Sequence, residues 1–419
     1  MRRVFLFAVA LSALAAPAAA EPLTIAQAID EAMQHNLALF AERSQLTIAD
    51  AQMIGARLRP NPVFSFSADH LDWLGTGFDE TNNGGPPEIA WRVDVPFERG
   101  GKREARVALA AAVRSAAEAQ FAEAVRALKQ DVTLACVDVL AAQATRSLAA
   151  DTLRTYEDLV RVNRARVTAG SIAPFDATRS EVAMLQFRAT VVRADLDVAA
   201  ASAKLRVLLG RPPDQTVEIA DDLSSAGGTG AARGPDLEAL AMQIRPDLKA
   251  LQLTQARTVA DLHLQEALGK VDYTVGAEYR RQQGINGRGN SLGVFFSSPL
   301  PFSNRNQGEI ARADAERGQA DRQIAARQAQ IAADVRSALH EYETTRDLVS
   351  TIERDLLTPA AHARDISAYT YKAGGATLLE LLDAQRAFND TMQSYVDARA
   401  SLRRAIARLN AAVGTEVAQ

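Results

Sequence analysis

A single cysteine, Cys136, in a chain of 419 residues excludes an internal disulfide framework and any cysteine-rich zinc or iron–sulfur site. Aromatic residues are scarce at 5%, while about one residue in five is Ala, a composition that favours long helices packed closely over a core of large rings. Positive charge is not in excess. With 47 Lys+Arg against 51 Asp+Glu the formal net charge is −4, so no basic field exists to hold nucleic acid. A mean hydropathy of −0.11 excludes a bundle of transmembrane helices. The five histidines, His35, His70, His263, His340 and His362, include no i, i+4 pair, and Cys136 is far from each in sequence. No catalytic residue, cofactor-binding residue or metal ligand set is therefore expected. Gly100-Gly101-Lys102 mimics a phosphate loop but lacks its first Gly, and Arg103 stands where Ser or Thr belongs. It reads as a strand-to-helix turn.

Residues 1–20 read as a signal peptide. Arg2 and Arg3 form a basic start, residues 4–14 an apolar run too short to span a bilayer, and Ala18-Ala19-Ala20 a cleavage site. No Cys follows the cleavage site, so no N-terminal lipid anchor is expected. The remainder contains an internal repeat. Val167-Thr168-Ala169-Gly170 and Tyr371-Lys372-Ala373-Gly374 lie 204 residues apart, as do Leu208-Leu209-Gly210 and Ala412-Val413-Gly414. The expected organisation is a first unit at 21–210, a Gly-, Pro- and Ser-rich linker at 211–235, a second unit at 236–414 and a tail at 415–419.

Each unit has the order helix, strand, strand, very long helix, helix. Residues 102–169 hold 68 positions without Gly or Pro, and Gly170 ends the run. The second long helix, from 309 to 373, carries Pro359 as an expected kink. Residue 36 marks a break inside the first helix, 23–58. The strands are expected at about 62–70 and 88–97 in the first unit, and 271–280 and 291–299 in the second. Trp91, Val93, Tyr273 and Val275 alternate with Arg92, Asp94, Thr274 and Gly276, giving one greasy and one polar face. About ten residues is also the length of a tilted strand crossing an outer membrane. The helices are too long and thin to cover a sheet, so the greasy face is expected to meet outer-membrane lipid. Strands in hydrocarbon must leave no open edge, and four strands cannot close a barrel. Three copies sharing one twelve-stranded barrel would close it, with loops 71–87 and 281–290 at the outer tips and the helices continuing as a tube.

Several motifs carry a family resemblance. They are Leu23-Thr24-Ile25-Ala26-Gln27-Ala28, Arg59-Pro60-Asn61-Pro62, Phe97-Glu98-Arg99-Gly100-Gly101-Lys102-Arg103, and Pro299-Leu300-Pro301-Phe302-Ser303-Asn304-Arg305-Asn306-Gln307-Gly308. In this order and in a duplicated frame, the chain resembles the TolC-like outer-membrane efflux factors, and within them the CzcC-like branch of cobalt–zinc–cadmium resistance systems. The resemblance implies a non-enzymatic homotrimeric channel of the outer membrane with a long periplasmic portion. It also implies a periplasmic adaptor protein and an inner-membrane pump as partners, in a tripartite (RND-type) efflux system exporting substrates such as heavy-metal cations. An alternative is a periplasmic coiled-coil spacer or adaptor without a channel, which would lack four membrane-length strands.

Glu380 and Asp383 lie i, i+3 on one helix face beside the turn at Tyr371 to Gly374. The resemblance puts this turn at the periplasmic tip, with the acids lining a pore constriction and Tyr371 matching an aromatic of the family. Ala376 departs from the Arg that better-known members carry there. Six carboxylates around one mouth would raise one another's pKa and attract cations. Gly170, Ser171, Asp176, Gly374 and Gly375 are the expected adaptor-docking tips, with Asp176 equally readable as an acid facing its own helix dipole.

Overall fold

A computed structural model describes residues 22–71, 73–75, 87–223, 234–284 and 287–418. The expected signal peptide, most of loop 71–87 and residues 224–233 of the linker lie outside the described residues.

The chain is mainly helical with one small antiparallel sheet. α1 (Ile25–His35) and α2 (Leu37–Arg57) precede β1 (Val63–Asp69) and β2 (Glu88–Phe97). α3 (Lys102–Thr168) and α4 (Pro174–Leu209) follow, then α5 (Gly234–Ile244) and α6 (Pro246–Leu268). The second hairpin is β3 (Tyr273–Gly284) and β4 (Gly287–Ser297), followed by α7 (Gln307–Thr351), a π-helical turn (Ile352–Leu356), α8 (Leu357–Lys372) and α9 (Leu378–Val413). By contacts, the described residues group into two compact units. Within those described residues, one draws on 22–40, 125–241 and 334–418, the other on 41–124 and 242–333.

The break expected at Asn36 has a specific cause. Its N–H donates to Ala32 O to end α1, and its Oδ1 accepts from Leu39 N to start α2. Its Nδ2 also donates to Leu208 O at the end of α4. The expected kink at Pro359 is moved. Pro359 sits in the first turn of α8, where its missing N–H leaves no gap in the ladder. The disturbance precedes it, as a π turn in which Leu357 N donates to Ile352 O. The linker ends earlier than expected, since Gly234 already opens α5. The tail is held: Asn410 Oδ1 accepts from Val417 N and Ala418 N, and its Nδ2 donates to Ala418 O.

Small side chains fill both cores. In the first unit Ala28, Ala32, Ala135, Ala241, Ala405, Leu205 and Leu409 are fully buried. In the second, Ala313, Ala116, Ala320 and Ile331 are 0–5% exposed. Alanine lets helix backbones approach closely and pays no rotamer entropy on burial. An 18-residue stretch of α3 is apolar enough to cross a membrane by composition. Val132, Ala135, Cys136, Val137 and Val139 of α3 are nevertheless buried within the protein's own core. Burial pushes the Cys136 thiol up to about 12, which keeps it neutral and inert at physiological pH.

Candidate functional site

Two places hold the residues expected to be functional: the sheet, within the body formed by 41–124 and 242–333, and the ends of the two helical hairpins, within the body that includes 125–241 and 334–418.

All strand pairs are antiparallel in the order β1-β2-β3-β4, so the two hairpins join through β2 and β3. Residues directly opposite share a face. The rungs Phe66–Trp91–Tyr279–Leu292, Phe64–Val93–Ala277–Val294 and Val95–Val275–Phe296 form one apolar face, continued by Phe97–Tyr273. Aromatic rings meet along it: Trp91 stacks on Tyr279 at 5.6 Å and lies tilted 6.0 Å from Phe66, and Tyr273 lies tilted 5.3 Å from Phe296. The opposite face carries Ser65–Arg92–Glu278–Gly293 and Ser67–Ala90–Arg280–Ser291. The burial is inverted relative to a sheet in water. Val93 and Val275 are 43% and 40% exposed and Val294 is 84% exposed, whereas Ala90 is 5% exposed and the side chain of Glu278 11%.

Charges on the polar face are paired. Arg92 Nη2 meets Asp94 Oδ1 at 2.8 Å, and Arg280 bridges Glu88 at 2.7 Å and Glu278 at 3.0 Å. Gly276 leaves room for the Arg92–Asp94 pair: a Cβ there would lie 2.3 Å from Asp94 Oδ1, so that side chain would have to move. Arg92 also lies 4.1 Å over the ring of Phe295, a bulky exception on this face. The stretch 281–290, expected as a loop, is mostly ladder: Arg281 pairs with Asn290 and Gln282 with Gly289, and the strands run on to Gly284 and Gly287. Polar residues in strand register hid it, because alternation of hydrophobicity fails where both faces leave the apolar band. At the sheet's other end Lys102 is 6% exposed and its Nζ meets Asp272 Oδ2 at 2.7 Å, with Arg99 N donating to Asp272 Oδ1. Gly100-Gly101-Lys102 is thus a strand-to-helix turn tied to the start of β3.

At the hairpin ends, α3 closes on Gly170 with φ +69° and α8 on Gly374 with φ +80°, a conformation that glycine adopts freely. Ser171 N donates to Arg166 O at 2.8 Å and Gly375 N to Thr370 O at 2.9 Å, so the two turns share one hydrogen-bond pattern. Both glycines have open space around them. Asp176 lies in the first turn of α4, behind Pro174.

Tyr371 is 6% exposed and packs with Tyr156, Leu378, Leu381 and Leu382, so its ring belongs to the protein's own core. Its hydroxyl donates to Oδ1 of fully buried Asn163 at 2.7 Å. Arg166 donates to Tyr371 O at 3.3 Å and Lys372 O at 2.7 Å, with its guanidinium 5.1 Å from the Tyr371 ring. One residue pair and one arginine therefore tie α3 to the end of α8. A cavity of about 410 Å³ opens beside them, lined by Tyr156, Leu159, Val162, Tyr371, Leu381 and Gln385 among others.

Glu380 is committed to a helix cap. It accepts from Thr377 N at 2.7 Å and Thr377 Oγ1 at 3.0 Å, while its own N–H donates to Thr377 Oγ1. These bonds hold its carboxyl below the usual carboxylate range, opposite in direction to the expected mutual repulsion. Asp383 is exposed and lies 3.6 Å from Arg386. The capping box was visible as Thr377-x-x-Glu380. Asn163 and Arg166 had no local signature, since they lie 208 and 205 residues from Tyr371. Among the described residues no three His, Cys, Asp or Glu side chains converge where a metal could sit.

Comparison with known proteins agrees with this geometry. The chain is 26% identical over 368 residues to the cobalt-zinc-cadmium resistance protein CzcC of Cupriavidus metallidurans, covering 88% of this chain and 84% of the relative. Among solved structures it matches the outer membrane protein VceC of Vibrio cholerae with a TM-score of 0.74 at 18% identity, over 94% of this chain and 96% of that one. CusC, described in terms of transmembrane channel formation, matches with a TM-score of 0.76 at 17% identity, over 94% and 92% of the two chains. The family described as outer membrane efflux protein matches residues 28–211 and 237–415. The chain belongs to the outer membrane efflux protein family.

Proposed function

We propose that three copies of this chain form the outer-membrane channel of a tripartite efflux system. The inverted sheet carries the reading. Its apolar face is exposed along every described strand, its polar face is charged and partly buried, and β1 and β4 each keep one edge unpaired among the described residues. A sheet with those properties is stable where lipid bathes the apolar face and where edge meets edge. Joining β4 of one copy to β1 of the next closes a twelve-stranded barrel with the Arg92 and Glu278 face around an aqueous lumen. The alternative, a coiled-coil spacer in the periplasm, would leave this apolar face in water, and the observed face argues against it.

The two units 21–210 and 236–414 are copies of one ancestral unit, a reading supported by the matching turns at Gly170 and Gly374. Those turns, with Ser171, Asp176 and Gly375, are the contacts for a periplasmic adaptor leading to an inner-membrane pump. Arg166 and the Tyr371–Asn163 bond hold the hairpin tips together in place of an ion pair at Ala376, and Asp383 with Glu380 lines the mouth they close. Likeness to CzcC supports heavy-metal cations as cargo.

Multi-angle light scattering of the purified protein, corrected for bound detergent, tests the assembly. A trimer is expected; a monomer at all concentrations overturns the architecture. Loss of cobalt, zinc or cadmium resistance on deletion from the native host, restored by the intact gene, tests the cargo.

A further inference from the structure

We infer that Arg281 and Asn290, at the outer end of the apolar face, form a binding site for the phosphate of a membrane lipid headgroup. The register puts them there. Arg281 shares its face with Tyr279, Ala277 and Val275, one rung pair beyond the aromatic row, and it lies directly opposite Asn290 and beside Ile89. Both residues are exposed. The contrast with the neighbouring arginine is informative. Arg280, on the polar face, is held by Glu88 and Glu278, whereas Arg281 has no hydrogen-bond or ion-pair partner among the described residues.

Asn290 is oriented for the same task. The Tyr279 hydroxyl donates to Asn290 Oδ1 at 3.0 Å, which leaves the amide Nδ2 as a donor without a protein acceptor among the described residues. A guanidinium and an amide N–H₂ thus stand side by side where the apolar band ends. Their complement is an anion with several oxygens at the depth of a lipid headgroup, attached to chains that lie along Trp91, Tyr279 and Leu292. A guanidinium binds a phosphate through two parallel N–H bonds, better than it binds water at a rim. Its stem lies over apolar surface while the head reaches the headgroup layer.

The inference rests on the reading that the apolar face meets lipid, and the test separates the two. Trp73 is 85% exposed, so Trp73→Phe leaves Trp91, stacked on Tyr279, as the single tryptophan reporter. The protein is reconstituted in phosphatidylcholine vesicles containing brominated-chain phosphatidylcholine or, at the same mole fraction, brominated-chain phosphatidic acid. Bromine on lipid touching the face quenches Trp91 fluorescence. Phosphatidic acid is expected to reach half-maximal quenching at about fivefold lower mole fraction. Arg281→Gln should remove that preference and leave quenching by phosphatidylcholine unchanged, and Asn290→Ala should weaken it. No quenching by phosphatidylcholine overturns the lipid-face reading and the site with it. Full quenching by phosphatidylcholine without a preference for phosphatidic acid overturns the site alone. Loss of the preference on adding inorganic phosphate shows a site for the free ion and overturns the assignment to lipid.

Discussion

The hydroxyl of Tyr371 is the proton donor in a buried bond whose acceptor, Asn163, is fully enclosed. Tyr371→Phe keeps the ring and removes the bond, leaving Asn163 Oδ1 without a donor at a cost of about 1–3 kcal/mol. The expected readout is faster amide hydrogen exchange in the last turn of α8 with the rest of the protein unchanged. The pair Tyr371→Phe and Asn163→Leu should recover most of the loss, because no polar group is then orphaned. A second residue-scale prediction concerns acid. The Asp247 side chain is 7% exposed between Arg245 and Arg327. Burial alone would raise its carboxyl, but the hydrogen bond from Arg245 and the charges of both arginines bring it below the ordinary value. A carboxyl whose folded pKa is depressed contributes stability that is present above its unfolded value, about 3.9, and is lost as pH falls through the folded value. Thermal melts of the helical signal should therefore be flat between about pH 5 and 7 with respect to this group and fall below about pH 4. Asp247→Asn should remove that step and cost about 3 kcal/mol at neutral pH, since two arginines lose their anion.

The strands carry the sharpest element-scale prediction. Val93 and Val275 sit on the apolar face and Thr274 on the other. Val93→Arg or Val275→Arg should cost about 2–4 kcal/mol of assembly in the membrane, read as loss of protein from outer-membrane fractions. Thr274→Arg should assemble normally and change conductance. Equal defects in both sets would mean the faces are assigned the wrong way round. The alternation at Trp91, Val93, Tyr273 and Val275 was legible in the sequence because period two survives any tertiary arrangement. The ends of the second hairpin were not, because Arg281, Gln282 and Asn290 have no hydrophobic contrast to alternate. Helix limits followed the same division. Gly170 stopped α3 as its backbone conformation requires, whereas Pro359 signalled a disturbance but not its form or place, a π turn three residues earlier whose Glu353 accepts from Arg399 and Tyr395 of α9. Spacing singled out Glu380 and Asp383 but not their bonds: Glu380 is engaged by its own cap, and Asn163 and Arg166 meet Tyr371 and Lys372 more than 200 residues away in sequence.

For the whole molecule, the proposed trimer multiplies every tip residue by three around one axis. Acids at Asp383 and Glu380 would then lie within about a Debye length, ~10 Å at moderate salt, of one another. Because the Thr377 bonds favour the charged form of Glu380, it should stay ionised in mild acid. Single channels in planar bilayers are expected to be cation-selective and to be blocked by trivalent cations from the periplasmic side. Glu380→Ala with Asp383→Ala should weaken both; unchanged selectivity and block would mean the acids point away from the pore. The pairing of β2 with β3 has a further consequence, for biogenesis. Phe97 meets Tyr273 although they lie 176 positions apart in sequence (273 − 97), and the chain between them includes the long helices α3 and α4. Contacts so distant are late events, since loop closure must precede any gain from the ladder. The first hairpin therefore emerges with a bare apolar face and two open edges, and waits for the second. If the chain is exported as proposed, that state is open to edge-to-edge aggregation until the second hairpin pairs with it and the bilayer covers the apolar face.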